Sequence, residues 1–175
     1  IRDSSTSRGL EMCIRDRDMA GLLRPFDAYK LVKNLKSTLS IPIHMQTHAT
    51  TGMSTATNMK AIEAGIDNID TSISSLSMTY GHTATETMLA IFENQDRVIN
   101  LDLSALEEVS IFFKEIRDKY SEFEGNLKGV DSSMLVKQVP GGMLSNLESQ
   151  LRANRQEDKI DLVKDEIPKV RKDFG

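Results

Sequence analysis

Three polar side chains recur at every second position in Ile41-Pro42-Ile43-His44-Met45-Gln46-Thr47-His48-Ala49-Thr50-Thr51-Gly52. His44, Gln46 and His48 therefore share one face of any strand formed here, because successive side chains of a strand point to opposite sides. Positions two apart lie roughly 6.6 Å apart along a strand, and positions four apart roughly 13 Å. Donors to one metal must converge to about 2.0–2.2 Å from it. His44 and His48 alone are thus too far apart to share an ion, whereas Gln46 and His48 are close enough. Imidazole is an ordinary ligand for zinc or manganese, and an amide oxygen a weaker, harder one. The alternative is a polar strand end whose histidines hydrogen-bond to neighbours. The third histidine, His82 in Tyr80-Gly81-His82, reads as a solvated loop residue.

A second constellation is Val139-Pro140-Gly141-Gly142-Met143-Leu144-Ser145-Asn146-Leu147. Two glycines before a helix let backbone approach a ligand closely. Amides opening a helix favour an anion, and Ser145 in the first turn offers a hydroxyl. A plain turn with Ser145 facing water is the competing interpretation.

The elements that must position these groups follow from periodicity. Pro25 and Asp27 suit a helix first turn, and Tyr29, Leu31, Val32, Leu35 and Leu39 recur at helical spacing over 25–39. The strand 41–48 comes next. A helix over about 53–64 follows, with Met53, Ala56, Met59 and Ile62 in register and Gly65 as its stop. Ile69, Thr71 and Ile73 alternate as a strand. Thr83 with Glu86, and Ser104 with Glu107, form capping-box patterns for two further helices. The second carries the stripe Leu106, Val109, Phe113, Ile116, Tyr120 and Phe123. Leu144, Leu147 and Leu151 suggest another helix. Val163, Ile167, Val170 and Phe174 suggest a last one that Pro168 breaks or restarts. Alternating helix and strand up to about residue 100 implies a parallel sheet with crossovers, and the remainder is all helix. In a parallel barrel, active sites lie at the carboxyl ends of the strands, where His48 falls.

The 175 residues suffice for one ordinary domain, with 39% hydrophobic and 27% charged side chains. A net charge of −4 argues against nucleic acid as a partner, which needs a basic footprint. No apolar run reaches the ~18 residues of a spanning helix. The single cysteine, Cys13, makes no internal disulfide, which suits a reducing cytoplasm. Residues 1–17 show neither strand alternation nor a helical stripe, and Ile-Arg-Asp occurs at both 1–3 and 14–16. They read as a non-native leader rather than a disordered arm, with the domain proper beginning at Asp18.

Asp18-Met19-Ala20-Gly21-Leu22-Leu23-Arg24-Pro25, the 44–52 strand and turn, Glu63-Ala64-Gly65-Ile66-Asp67, Phe123-Glu124-Gly125 and Gln138–Leu147 together resemble the carboxyltransferase domain of biotin-dependent enzymes. The resemblance is nearest to the oxaloacetate decarboxylase alpha subunit, with pyruvate carboxylase and transcarboxylase as relatives, and spans 18–175. It implies an α/β fold, the C-terminal part of a (β/α)8 TIM barrel over 18–100, followed by a truncated helical extension over 101–175. It implies a carboxyl group moved between oxaloacetate/pyruvate and biotin, the biotin being supplied by a carrier domain or subunit. Membrane-bound decarboxylase subunits and a homo-oligomer at full length are further implied partners. The implied cofactor is a divalent metal (Zn, Mn or Co) held by an aspartate, a carbamylated lysine and a His-x-His pair.

Carried onto this sequence, His48 is the second histidine of that pair and Gln46 stands at the first, a departure. His44 matches a position that is not a ligand. The lysine position holds Arg17, which cannot be carbamylated, and Ser145 is the hydroxyl that shuttles a proton. A catalytically inert fragment is the alternative expectation, since an incomplete barrel leaves strand edges unpaired.

Overall fold

The computed structural model describes residues 13–93, 99–125, 127–137 and 141–174. Three parallel strands form one sheet in the order β1-β2-β3: β1 Ile14–Asp18, β2 Ile43–Thr47 and β3 Asn68–Ile69. Helix α1, Pro25–Thr38, connects the first two, and α2, Ser54–Ala64, the second and third. Then come α3 Thr85–Phe92, α4 Leu103–Lys119, α5 Met134–Lys137, α6 Gly141–Ala153 and α7 Ile160–Phe174. The alternation of helix and parallel strand is as the periodicity implies, and among the described residues everything beyond 100 is helix or connection.

Strand β2 makes the core and the site at once. Ile43, Met45 and Thr47 are buried, and His44, Gln46 and His48 on the opposite face are half-buried. Ile43 and Met45 pack with Ala28 and Val32 of α1, Ala61 and Ala64 of α2, and Ile66. A leucine-sized residue cut to alanine in such a core costs about 2–5 kcal/mol. Two-residue alternation in β2 thus fixes which side faces α1 and α2, since a one-residue slip would bury the imidazoles.

Several expectations are corrected. The stretch 1–17, read as lacking a strand, supplies Ile14–Arg17 to β1, in parallel register with β2 (Arg15 opposite His44, Arg17 opposite Gln46, Asp18 opposite Thr47). Its first twelve residues lie outside the described ones. Charged residues hide this strand from a hydrophobicity count, because β1 is paired on one side and largely exposed. The second alternating segment pairs only over 68–69, after which Ser72 makes a single parallel bridge to Ala84.

Helix α2 buries Ser54, Thr57, Asn58, Ala61 and Ala64 rather than the Met53–Ile62 stripe. Its hydroxyls are satisfied there: Thr57 donates to the Leu23 carbonyl (2.8 Å), and Ser54 and Thr83 are hydrogen-bonded (2.7 Å). Buried hydroxyls cost little once partnered, so the more compact face goes inward.

The capping boxes are replaced. Asp102 caps α4 by accepting from the Ser104 and Ala105 amides. Glu86 reaches back to the Ser74 amide instead of capping its own helix. Gly141 and Gly142 lie in the first turn of α6 rather than before it, and Gln138, Val139 and Pro140 lie outside the described residues. Pro168 sits inside an unbroken α7.

Two carboxylates tie β2 to its surroundings. Asp67 accepts from the Ile43 amide (2.7 Å) and from Lys36 Nζ (2.9 Å). Asp70 accepts from His44 Nε2 (2.6 Å) and from the Arg15 guanidinium. Burial alone would raise both acids, but the hydrogen bonds outweigh it, and each is held below its ordinary 3.8. A carboxylate depressed by folding contributes stability that is fully present above the unfolded value and lost as pH falls through the folded one. Thermal midpoints are therefore expected to hold steady above about pH 5 and to drop below pH 3.8. Asp67→Asn should flatten that acid limb. An unchanged limb in the variant would refute the assignment.

Candidate functional site

At the carboxyl end of β2 the chain leaves the sheet and several loops converge. The His48 amide donates to the Asp18 carbonyl (3.1 Å), continuing the β1–β2 ladder. The Asp18 carboxylate accepts from the Leu22 and Leu23 amides (2.9 Å each), folding the chain tightly after β1. Gly21 stands at φ +66, and a Cβ there would lie 2.5 Å from the His48 carbonyl oxygen. Only glycine permits both the left-handed conformation and this approach. Thr51 hydrogen-bonds to the Gly21 carbonyl from the other side, and the Ala49 amide donates to the Gly81 carbonyl (2.8 Å). The tip of β2 is thus held between the loop after β1 and the loop after β3.

His82 belongs to this site, a correction to its reading as a solvated loop residue. Its Nδ1 donates to the Thr47 carbonyl (3.0 Å), and its Nε2 lies 3.3 Å from Gln46 Nε2. The His48 and His82 rings are 4.6 Å apart between centroids, tilted by 57°. His48 Nδ1 in turn donates to the Tyr80 carbonyl (2.6 Å). A carbonyl oxygen only accepts, so both histidines carry their neutral-state proton on Nδ1 and present an Nε2 lone pair. The Gln46 amide N–H points at the His82 lone pair. The loop after a parallel strand returns at the carboxyl end of the sheet, and this is the signal that would have brought His82 to His48. His44 is drawn away to Asp70 and takes no part in this group.

Tyr80 links the group to the helical half. Its hydroxyl donates to Glu148 of α6 (3.3 Å) and accepts from the Leu127 amide (3.3 Å). Burial first, and then the Glu148 carboxylate, push the phenol up to about 12. A Cβ at Gly125 would lie 2.6 Å from the Tyr80 ring, so the loop before α5 lies flat against it. Ser145 lies on α6 one turn before Glu148, and its side chain lies outside the described residues.

The donors on this face are two imidazoles and one amide, fewer than the four ligands a zinc-like ion usually takes. Two imidazoles whose other nitrogen is fixed by a backbone carbonyl are the usual supported form of a histidine ligand, and a neutral amide stands beside them. Arg17, in register with Gln46 on β1, adds no ligand. Among the described residues no three His, Cys, Asp or Glu side chains are grouped to hold an ion.

Comparison with known proteins shows the family of this chain. Residues 10–112 match the HMGL-like family model, and residues 134–175 match a conserved carboxylase domain. The chain is 47% identical over 161 residues to the methylmalonyl-CoA carboxyltransferase 5S subunit of Propionibacterium freudenreichii subsp. shermanii, covering 91% of this chain and 32% of that protein. It is 44% identical over 165 residues to a pyruvate carboxylase subunit of Methanocaldococcus jannaschii, covering 94% and 29%. The chain thus spans about a third of the length of these curated relatives. Among solved structures, the carboxyl transferase domain of Rhizobium etli pyruvate carboxylase with pyruvate and biocytin superposes with a TM-score of 0.82 at 33% identity, over 87% of this chain and 26% of that one.

Proposed function

Because this chain belongs to the HMGL-like family, we propose that it is part of a biotin-dependent carboxyltransferase that moves a carboxyl group between oxaloacetate/pyruvate and biotin. The observation that carries this reading is the group of His48, Gln46 and His82 at the carboxyl end of a parallel strand, where barrel enzymes place their chemistry. The strand's position in a longer (β/α)8 barrel is part of the proposal.

In this reaction the bond between C3 of oxaloacetate and its carboxyl carbon breaks, and the electron pair remains as the enolate of pyruvate. Biotin on a carrier domain would take up the carboxyl group, and His48 and Gln46 are the residues that would face a divalent ion, which would supply Lewis-acid polarisation. The chain's own residues do the remaining work. Tyr80 and Thr47, through their carbonyls, keep both imidazoles in one tautomer and orientation. The Ser145 hydroxyl passes the proton that converts enolate to pyruvate. Either direction passes through the same enolate. The finer assignment, the oxaloacetate decarboxylase alpha subunit with its membrane-bound partners, rests on the turn Ala49-Thr50-Thr51-Gly52 and the segment Met143-Leu144-Ser145.

The test is pyruvate release from oxaloacetate by the enzyme that contains this chain, with and without free biotin. Biotin-stimulated release is expected. A rate identical with and without biotin would remove the proposal, and carboxylation of pyruvate running without decarboxylation would select pyruvate carboxylase over the decarboxylase.

A further inference from the structure

We propose that Tyr80 is a positioning residue for the proton transfer assigned to Ser145: its hydroxyl holds Glu148 and so sets where helix α6 stands. The proposal deepens the function given above and rests on it in assigning that transfer to Ser145.

Three observations point to it. The first is that the hydroxyl is a fixed point. A Cβ at Gly125 would lie 2.6 Å from the Tyr80 ring, so backbone closes one side of the ring. Tyr80, Ile160 and Ile167 pack around the buried Met134. The Leu127 amide donates to the hydroxyl oxygen (3.3 Å), and the O–H in turn donates to Glu148 (3.3 Å). Burial, and then the Glu148 carboxylate, push the phenol up to about 12, so it keeps that proton at any working pH.

The second observation is where the bond lands. Glu148 stands three positions after Ser145 within the unbroken helix Gly141–Ala153, about 4.5 Å along its axis. Across one hydrogen-bonded turn, a displacement at 148 is carried to 145. The third is the space beside the bond. A cavity of about 310 Å³ opens there, lined by Glu122, Phe123, Glu124, Gly125, Glu148 and Arg152 among others. Close packing therefore does not seat α6 against the 122–125 loop, and a polar contact takes on that task.

The consequence for the reaction is geometric. A proton-transfer group must lie within about 2.6–3.2 Å of its partner, and a misplacement of about 1 Å can cost roughly 10²-fold in rate. A hydroxyl that never meets substrate can thus govern turnover through the helix it holds.

The experiment uses the enzyme that contains this chain, unaltered and as Tyr80→Phe, Glu148→Ala, Glu148→Gln and the double variant Tyr80→Phe/Glu148→Ala. Biotin-dependent pyruvate release is followed in H2O and D2O, and hydrogen exchange over 143–150 by mass spectrometry. Tyr80→Phe and Glu148→Ala should each lower kcat by roughly 10–100-fold, with KM for oxaloacetate within about twofold. The double variant should be no slower than either single one, because both remove the same bond. Glu148→Gln, whose amide oxygen still accepts from Tyr80, should stay within about threefold of the unaltered rate. The solvent isotope effect on kcat should rise in Tyr80→Phe as proton transfer becomes slower. Amides over 143–150 should also exchange faster in that variant.

An unchanged kcat in Tyr80→Phe overturns the inference, as do losses that multiply in the double variant. A lower kcat with an unaltered isotope effect does so too, since a smaller folded fraction slows the reaction without changing its proton step. An unaltered enzyme without biotin-dependent release removes the carboxyltransferase reading instead. The seating of α6 is then decided by exchange alone, and equal exchange in Tyr80→Phe and the unaltered enzyme would refute it.

Discussion

Gly21→Ala is expected to destabilise the fold by about 3 kcal/mol, lowering the thermal midpoint by roughly 6–12 °C for a chain of this size. Two costs add. A non-glycine residue at φ +66 carries a left-handed penalty of about 1–2 kcal/mol. The new Cβ would also sit 2.5 Å from the His48 carbonyl oxygen, a backbone atom that cannot rotate away. The contact is relieved only by pushing the tip of β2 from the loop after β1, which breaks the bond from the His48 amide to Asp18. Gly65→Ala is the control. Gly65 has φ +96 and open space where a Cβ would go, so strain alone should cost about 1–2 kcal/mol. Circular dichroism melts of the two variants settle the matter. Equal losses would mean that the approach of Gly21 to His48 contributes nothing.

Ser145→Ala is expected to reduce carboxyl transfer by about 10²–10⁴-fold, the range by which a positioned proton-transfer group accelerates a reaction. Ser145→Thr, which keeps the hydroxyl, should retain most of the rate. The measurement is biotin-dependent pyruvate release at saturating oxaloacetate, with KM for oxaloacetate followed alongside. A loss confined to KM, or an alanine variant as fast as the threonine one, would remove Ser145 from the proton path.

The elements near the site were readable because their patterns are local. Pro25, Asp27 and the apolar spacing of 25–39 mark α1, whose observed span is Pro25–Thr38. The alternation of Ile43, Met45 and Thr47 with His44, Gln46 and His48 marks both faces of β2. Gly65 ends α2 in the left-handed conformation. What stayed hidden depends on partners distant in sequence. Ile14–Asp18 looks like a charged leader until β2 supplies the ladder that makes it a strand. The buried face of α2 is set by Leu23, Thr47 and Thr83, which hydrogen-bond to its polar groups, and no window over 53–64 contains them. His82 lies 34 positions from His48 and meets it only because both loops open at the same end of the sheet.

Tyr80 has two ends in two places: its carbonyl grips the ring of His48, and its hydroxyl grips the helix that bears Ser145. A single residue is therefore the yardstick between the imidazole and that helix. Tyr80→Phe would thus cut the tie to the helix while leaving the carbonyl's hold on His48 in place.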